Sequence, residues 1–518
     1  MNRIINSLSS YLFLLPILLL SFLLGSRMIL AGDFFYLFDQ ARDYLLVKNI
    51  VDTHSLALIG THSGLGGLFH GPSWLYMLVP FYILGKGNPL AFTYSYIVLQ
   101  LFTVFAAYIV GSKLYGSKGG LLISLLIALS PVTWSTVQNT IGVNVEPLVF
   151  LGLFYFLIKF LRGDKYFFIF AAFFAGLSLQ FETALPLVLF PVLLIVYCLF
   201  AKSVKDIKLI LLSLASYILS LATFILFDLR HKFLMTTAIL STFSGGQKGK
   251  GYLDLAARIS AHFNSLLGVY RSVLFKEDTL LTILLVIIFA YAIYLIIKNK
   301  INPTAGGKKE FIFLLFFPII AFCFFVFYPY PIWPEYVLGL LIPVALAFYL
   351  AIITVWENIV GKILVSLFFI ITFLNVFTFI QNQYFQKYQL NNSSGSYLNQ
   401  KAVVDWIFKD AGSGKFGYFV YTPETFTHGM DYLISWEAKS NPGKIPSTNK
   451  ELTTYLILYP HMARDEGAYT FWKKNVIRTQ GQVILQKKFK GGITVEKLLI
   501  EKFEPAVDPN YYQGLLFR

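Results

Sequence analysis

Asp39, Gln40, Arg42 and Asp43 fall within five positions of one loop, the chain's dense cluster of charge beside long apolar runs. Read as a helix from Tyr36 to Ile50, the 3.6-residue period puts Tyr36, Asp39, Asp43, Leu46 and Ile50 on one face, with Arg42 beside Asp39. Two carboxylates held near a guanidinium at a membrane surface have the chemistry of a general base. The same spacing also describes a solvated helical face with an i,i+3 salt bridge, so context must decide.

Polar residues at the end of an apolar run cost energy unless they are used, and five places carry them. His70 and Trp74 lie at the entry to a short apolar stretch, where Pro72 suits a first helical turn and Trp74 suits an interface anchor or a sugar-facing ring. Gln138 and Asn139, with Asn144 and Glu146, read as a hydrogen-bonded cap or a binding loop. Gln180 and Glu182 are squeezed between two apolar runs, and a carboxylate there needs a partner. Arg230, His231 and Lys232 follow Asp228 directly after a run. Such cations hold a phosphate or snorkel to lipid headgroups. Trp333, Glu335 and Tyr336 close a Pro-rich turn, which suits sugar recognition or a plain interfacial turn. His54, His62 and His70 share a loop, but their spacing is too irregular to specify a metal. No metal site is expected, and a divalent cation stays open only as an alternative.

The elements that must position these residues follow from composition. Hydrophobic residues make up 57% and charged residues 13% of the chain, and the mean hydropathy is +0.66. Soluble proteins carry about 25% charged residues, so this is a polytopic α-helical membrane protein. The net charge of +15 fits Lys and Arg gathered at headgroup level, and no nucleic-acid partner is implied. Cys198 and Cys323 are the only cysteines and both lie in apolar runs, which suggests neither a disulfide nor a thiolate metal site.

Tyr11–Leu30 reads as an uncleaved first span with its N-terminus inside. Further spans are expected at Pro89–Val110, Gly119–Trp134, Val145–Phe160, Tyr166–Gln180, Thr183–Phe200, Lys208–Phe227, Thr279–Ile297, Phe311–Tyr328, Tyr336–Val355 and Lys362–Ile380, about 11 crossings in all. Gly71–Leu84 is too short to cross and suits a surface helix. With the N-terminus cytoplasmic, every strongly basic short loop falls on one side, as the positive-inside rule requires. The first loop (31–80), the long loop (228–278) and the tail then lie outside. Residues 1–380 form the membrane domain. Residues 381–518 read as a small extracytoplasmic α/β domain, with strands near 416–422, 453–459 and 482–489 and helices near 400–410 and 427–436. Its Ala411–Lys415 stretch, AGSGK, lacks the flanking residues of a phosphate loop and reads as a turn.

The membrane part resembles the GT-C superfamily of integral membrane glycosyltransferases, in the branch of protein O-mannosyltransferases and lipid A aminoarabinose transferases. The resemblance rests on FDQARDY (Phe38–Tyr44), FHGPSWLY (Phe69–Tyr76) and GLSLQFETALPLVLFP (Gly176–Pro191). It implies a GT-C-like fold with outer-face surface helices and a polyprenyl-phosphate-linked sugar donor. It also makes Asp39 the loop aspartate that acts as base or orients the acceptor. The family's neighbouring Glu is Gln40 here, and Asp43 adds a carboxylate one turn on, so either Asp39 or Asp43 can take the catalytic role.

The expected activity is an inverting sugar transfer at the plasma (inner) membrane to an extracytoplasmic lipid, glycan or protein acceptor. Asp39 or Asp43 serves the acceptor, and Arg42, Arg230, His231 and Lys232 serve the donor phosphate. His70, Trp74, Gln138, Asn139, Gln180, Glu182, Trp333, Glu335 and Tyr336 are the candidates for sugar and acceptor contacts. The alternatives are a flippase of lipid-linked saccharide and a non-catalytic envelope scaffold. The polar groups gather at one face rather than midway across, and no internal repeat is visible, which disfavours a transporter.

Overall fold

The computed structural model describes residues 2–63, 67–135, 140–200, 206–243, 253–298, 307–328, 330–385, 392–422, 426–460 and 467–511. Gln138 and Asn139 lie outside the described residues. The chain divides into two compact units. The first comprises Met1–Ser26, Ala57–Met77 and Tyr96–Phe385, and the second Arg27–Leu56, Leu78–Ser95 and Gln386–Arg518.

The first unit is a bundle of apolar helices around Leu341–Trp356, whose Ala347, Phe348 and Leu350 are fully buried. The Ile359–Phe385 helix is its opposite. Ile363, Leu374 and Phe377 on it are 53%, 61% and 68% exposed, and a long helix with that much bare apolar surface requires a lipid surround. The chain is an integral membrane protein. Among the described residues six helices have the length and apolarity to cross, or seven when Ile207–Ser220 and Ala222–Arg230, bent by 65°, count as one. That is fewer than the apolar runs suggest. Phe167–Ser178 and Ala184–Phe200 are apolar but only 12 and 17 residues long. The break expected after Val110 appears inside Pro89–Leu129 as Gly116 at φ +80°, a conformation that glycine takes without a Cβ penalty. The long loop at 228–278 holds two helices, Leu234–Phe243 and Leu255–Arg271.

At one end of this bundle a buried ion pair ties three helices together. Arg162 Nε and Nη2 lie 3.1 and 3.2 Å from the Glu310 carboxylate, and Arg162 Nη1 donates to the Leu114 carbonyl at 3.1 Å. The Tyr115 hydroxyl also donates to Glu310, whose side chain is 2% exposed.

The second unit contains the C-terminal sheet. β1 (Gly414–Tyr421), β2 (Lys444–Ser447), β3 (Thr453–Leu458), β4 (Gln482–Lys488) and β5 (Thr494–Leu499) assemble in the order β2-β1-β3-β5-β4. β1 pairs in parallel with β2 and β3, and β5 pairs antiparallel with β3 and β4. The Tyr397–Asp410 and His428–Ser440 helices complete the small α/β domain. In the 411–415 stretch, 411–413 lead into β1, whose first residue Gly414 sits at φ +109°. Phe419, Leu456, Trp472, Ile477 and Leu498 form a core on one face of the sheet.

Within this unit, residues 33–36 run as an extended stretch beside residues 395–400. Phe35 bridges Ser396, Tyr36 N donates to the Gly395 carbonyl at 2.7 Å, and the Asp33 carboxylate accepts from the Ser396 hydroxyl at 2.8 Å. The Phe38–Thr53 helix starts only after this stretch, so Tyr36 precedes the helix rather than sharing its face. Tyr44 then stacks on Phe92, with centroids 3.9 Å apart, and meets Tyr432 edge-on.

Candidate functional site

The buried residues of the Phe38–Thr53 helix are Gln40, Ala41, Asp43, Tyr44 and Val47, which separates the two candidate carboxylates. Asp39 is 40% exposed at its side chain and Asp43 only 3%. Arg42 joins them, with Nη1 2.7 Å from Asp39 Oδ1 and Nη2 3.3 Å from Asp43 Oδ1. Gln40 turns back, and its Oε1 accepts from Leu37 N at 2.7 Å, closing the helix N-terminus as the third residue of a capping box does. An oriented, open carboxylate beside a guanidinium can accept a proton from a hydroxyl.

Two residues that the sequence does not mark stand beside this pair. His428, at the start of its helix, is 91% buried, and its Nδ1 has no hydrogen-bond partner among the described residues. A hydrogen bond links it to the Phe38 main chain, and burial and then the Arg42 guanidinium pull its pKa below the usual imidazole value, against the smaller opposing effects of that bond and of Asp39. Phe426 stacks on Phe38, with centroids 5.2 Å apart. No local pattern reveals these contacts, because they join residues nearly 400 positions apart.

In the first unit, His70 closes a tight ladder in which its main-chain N–H donates to the Thr61 carbonyl at 2.8 Å. Trp74 is 5% exposed and packs on Tyr96, with centroids 5.1 Å apart. Gln180 is a junction. Its Oε1 accepts from Ser73 Oγ at 3.1 Å, and its Nε2 donates to the Ser220 carbonyl and Thr223 Oγ1, both at 3.1 Å. A Cβ on Gly71 would lie 1.9 Å from Gln180 Oε1, so only glycine admits this approach. Glu182 finds its partner at a helix start, where Oε1 accepts from Thr183 N at 2.8 Å and Ala184 N at 3.0 Å. Glu335 and Tyr336 lie within electrostatic reach of Glu182, whereas Trp333 is 60% exposed.

Asp228 pairs with neither Arg230 nor Lys232 in its ladder of bonds. It accepts from Met235 N at 2.8 Å, Thr236 N at 3.0 Å and Thr236 Oγ1 at 2.6 Å, which caps Leu234–Phe243. This cap holds Lys232 and Phe233 at φ of 55° and 58°. Arg230, His231 and Lys232 are exposed, and among the described residues none of the three makes an ion pair. Two cavities flank Leu234–Phe243. One, about 250 Å³, is lined by Phe69, Leu187, Phe224 and Ile239 with Asp228 and Thr236. The other, about 510 Å³, is lined by His231, Lys232 and Leu234 with Thr237 and Ser241. Among the described residues no group of three or more His, Cys, Asp or Glu side chains is placed to hold a metal ion.

No family model and no curated protein matches the chain. Among solved structures, ArnT from Cupriavidus metallidurans, bound to undecaprenyl phosphate, superposes with a TM-score of 0.60 at 9% identity, over 94% of this chain and 97% of that one. The chain has a GT-C-like fold. The archaeal oligosaccharyltransferase AglB from Archaeoglobus fulgidus, in complex with an inhibitory peptide and a dolichol-phosphate, matches at TM-score 0.49 and 11% identity, over 90% of this chain and 71% of that one. At such identities the likeness is one of architecture, and the chemistry must be argued from the side chains. On the GT-C framework this chain sets an open aspartate fixed by an arginine, and a basic turn beside an apolar cavity.

Proposed function

We propose that the protein transfers a sugar from a polyprenyl-phosphate donor to an acceptor hydroxyl outside the cytoplasm, with inversion. The observation that carries this reading is Asp39, open to solvent and fixed by Arg42 in a GT-C fold. Asp39 takes the proton of the acceptor hydroxyl as its oxygen attacks the anomeric carbon. The carbon–oxygen bond to phosphate breaks, its electron pair stays on the phosphate oxygen, and polyprenyl phosphate leaves. Asp43, buried behind Arg42, orients the guanidinium.

Arg230, His231 and Lys232 are proposed to hold the donor phosphate. Their exposure, with no ion pair among the described residues, supports this role, as does the lining of the larger cavity by two of them. The apolar cavity beside Leu234–Phe243 suits an isoprenoid chain. The distribution of Lys and Arg over the short loops supports a cytoplasmic N-terminus, with the first loop and C-terminal domain outside.

The test is incubation of the purified chain in lipid nanodiscs with labelled polyprenyl-phosphate sugars and a mixture of hexose glycosides and hydroxyl-bearing peptides as acceptors, reading labelled product and free polyprenyl phosphate. The proposal expects donor consumption with one polyprenyl phosphate released per sugar transferred. Translocation of intact donor without consumption would point to a flippase and overturn it.

A further inference from the structure

We infer that Phe38 and Phe426, backed by His428, form the acceptor subsite, and that the group they receive is a sugar ring. The inference deepens the reading above and rests on Asp39 as the acceptor-activating group.

Phe426, stacked on Phe38, is 50% exposed, and Leu37, which precedes Phe38 in sequence, is 38% exposed, so this end of the Phe38–Thr53 helix presents a bare aromatic ledge where a polar surface is the rule. The ledge is rigid. Phe38 and Phe426 stack with ring planes 23° apart, and Phe426 and His428 stack with centroids 5.5 Å and planes 26° apart. His428 is buried and bonded to the Phe38 main chain, which fixes the helix start one residue before Asp39. A flat apolar face next to a carboxylate and a guanidinium matches a pyranose, whose C–H face packs on a ring while its hydroxyls reach charged partners. An acyl chain has no use for the charges, and a serine or threonine hydroxyl has no use for the ledge. Phe426 belongs to the C-terminal domain, so that domain supplies a wall of the acceptor site and sets its specificity.

The experiment measures initial rates of the full chain with the polyprenyl-phosphate sugar it consumes, against methyl glycosides of common hexoses and a serine-containing hexapeptide. Transfer to glycosides is expected. Phe426→Ala and Phe426→Leu should each raise the glycoside KM by about tenfold or more with a much smaller effect on kcat, and Phe426→Tyr, which keeps the ring, should restore the KM. Phe426→Leu keeps apolar volume and covers failure of the alanine variant to fold. An unchanged glycoside KM in Phe426→Leu, or transfer to the peptide alone, would overturn the inference. An inactive Asp39→Asn alongside a wild-type Phe426→Leu sinks only the ledge, whereas an active Asp39→Asn sinks the assignment of the base beneath it.

Discussion

Arg42 Nη1 lies 2.7 Å from Asp39 Oδ1, and the same guanidinium reaches the buried Asp43 at 3.3 Å. One arginine is thereby held from the protein side while it holds a carboxylate on the solvent side. An ion pair this exposed contributes only about 0–1 kcal/mol to stability, so its value lies in orientation. Lysine offers a single point charge in place of a planar fork and cannot span both carboxylates. Arg42→Lys should therefore lower kcat by about 10- to 100-fold through misplacement of Asp39, with folding intact. Steady-state kinetics and a thermal melt of the same preparation check both halves.

The basic turn at 230–232 should govern donor affinity. Charge reversal at Lys232 (Lys232→Glu) or Arg230 (Arg230→Glu) should raise the donor KM by about tenfold or more, and the effect should shrink as salt rises, because exposed charges are screened. Asp228→Ala acts differently. It removes the cap of Leu234–Phe243 at a cost of about 1–2 kcal/mol and should weaken donor binding by releasing the turn. Donor titrations at two ionic strengths separate the two effects.

Glu310 and Arg162 sit far in sequence from any proposed chemistry, which makes them a test of the fold alone. Removing one partner of a buried pair strands the other charge, at a cost of about 3–5 kcal/mol. Arg162→Ala should lower the melting temperature of the detergent-solubilised protein sharply, while donor KM in the surviving fraction stays at its wild-type value.

His428 predicts a pH dependence with a defined sign. Its folded pKa is lowered by burial and then by Arg42, whereas an unfolded histidine takes a proton near pH 6.5. Between the lowered value and about 6.5 the unfolded chain binds the extra proton, so stability falls as pH drops through that window. His428→Gln, which retains a donor for the Phe38 main chain, should remove this part of the pH dependence. Melts from pH 7.5 down to 5 on both proteins show it as a difference between two curves.

Much of the membrane architecture was legible because apolar runs of span length have few other uses. The break after Val110 was visible too, since Gly116 supplied the conformation that ends a helix. The span count was less legible, because the helices at Phe167–Ser178 and Ala184–Phe200 are apolar enough but short. Leu255–Arg271 had a readable start in Asp254, whose carboxylate accepts from Ala257 N at 2.8 Å, yet its polar face hid it inside a loop. β5 escaped because Glu496 and Lys497 interrupt its apolar pattern, each for a local reason. Glu496 meets Lys473 at 3.0 Å and Lys497 meets Asp410 at 2.7 Å. At the site, Asp39, Arg42 and Asp43 could be picked out by spacing, but their unequal burial could not. That depends on the first-loop helix lying against His428–Ser440, a contact no local pattern encodes. The Glu182 carboxylate was read as needing a partner, and it finds protein groups, the main-chain N–H of Thr183 and Ala184.

The most direct measurement compares single-turnover sugar transfer by Asp39→Asn and Asp43→Asn at saturating polyprenyl-phosphate donor. The account predicts that Asp39→Asn still binds donor but loses about 10²–10⁴-fold in the transfer rate, while Asp43→Asn loses far less and melts at a lower temperature. Transfer at the wild-type rate by Asp39→Asn, or a larger loss in Asp43→Asn than in Asp39→Asn, would contradict it.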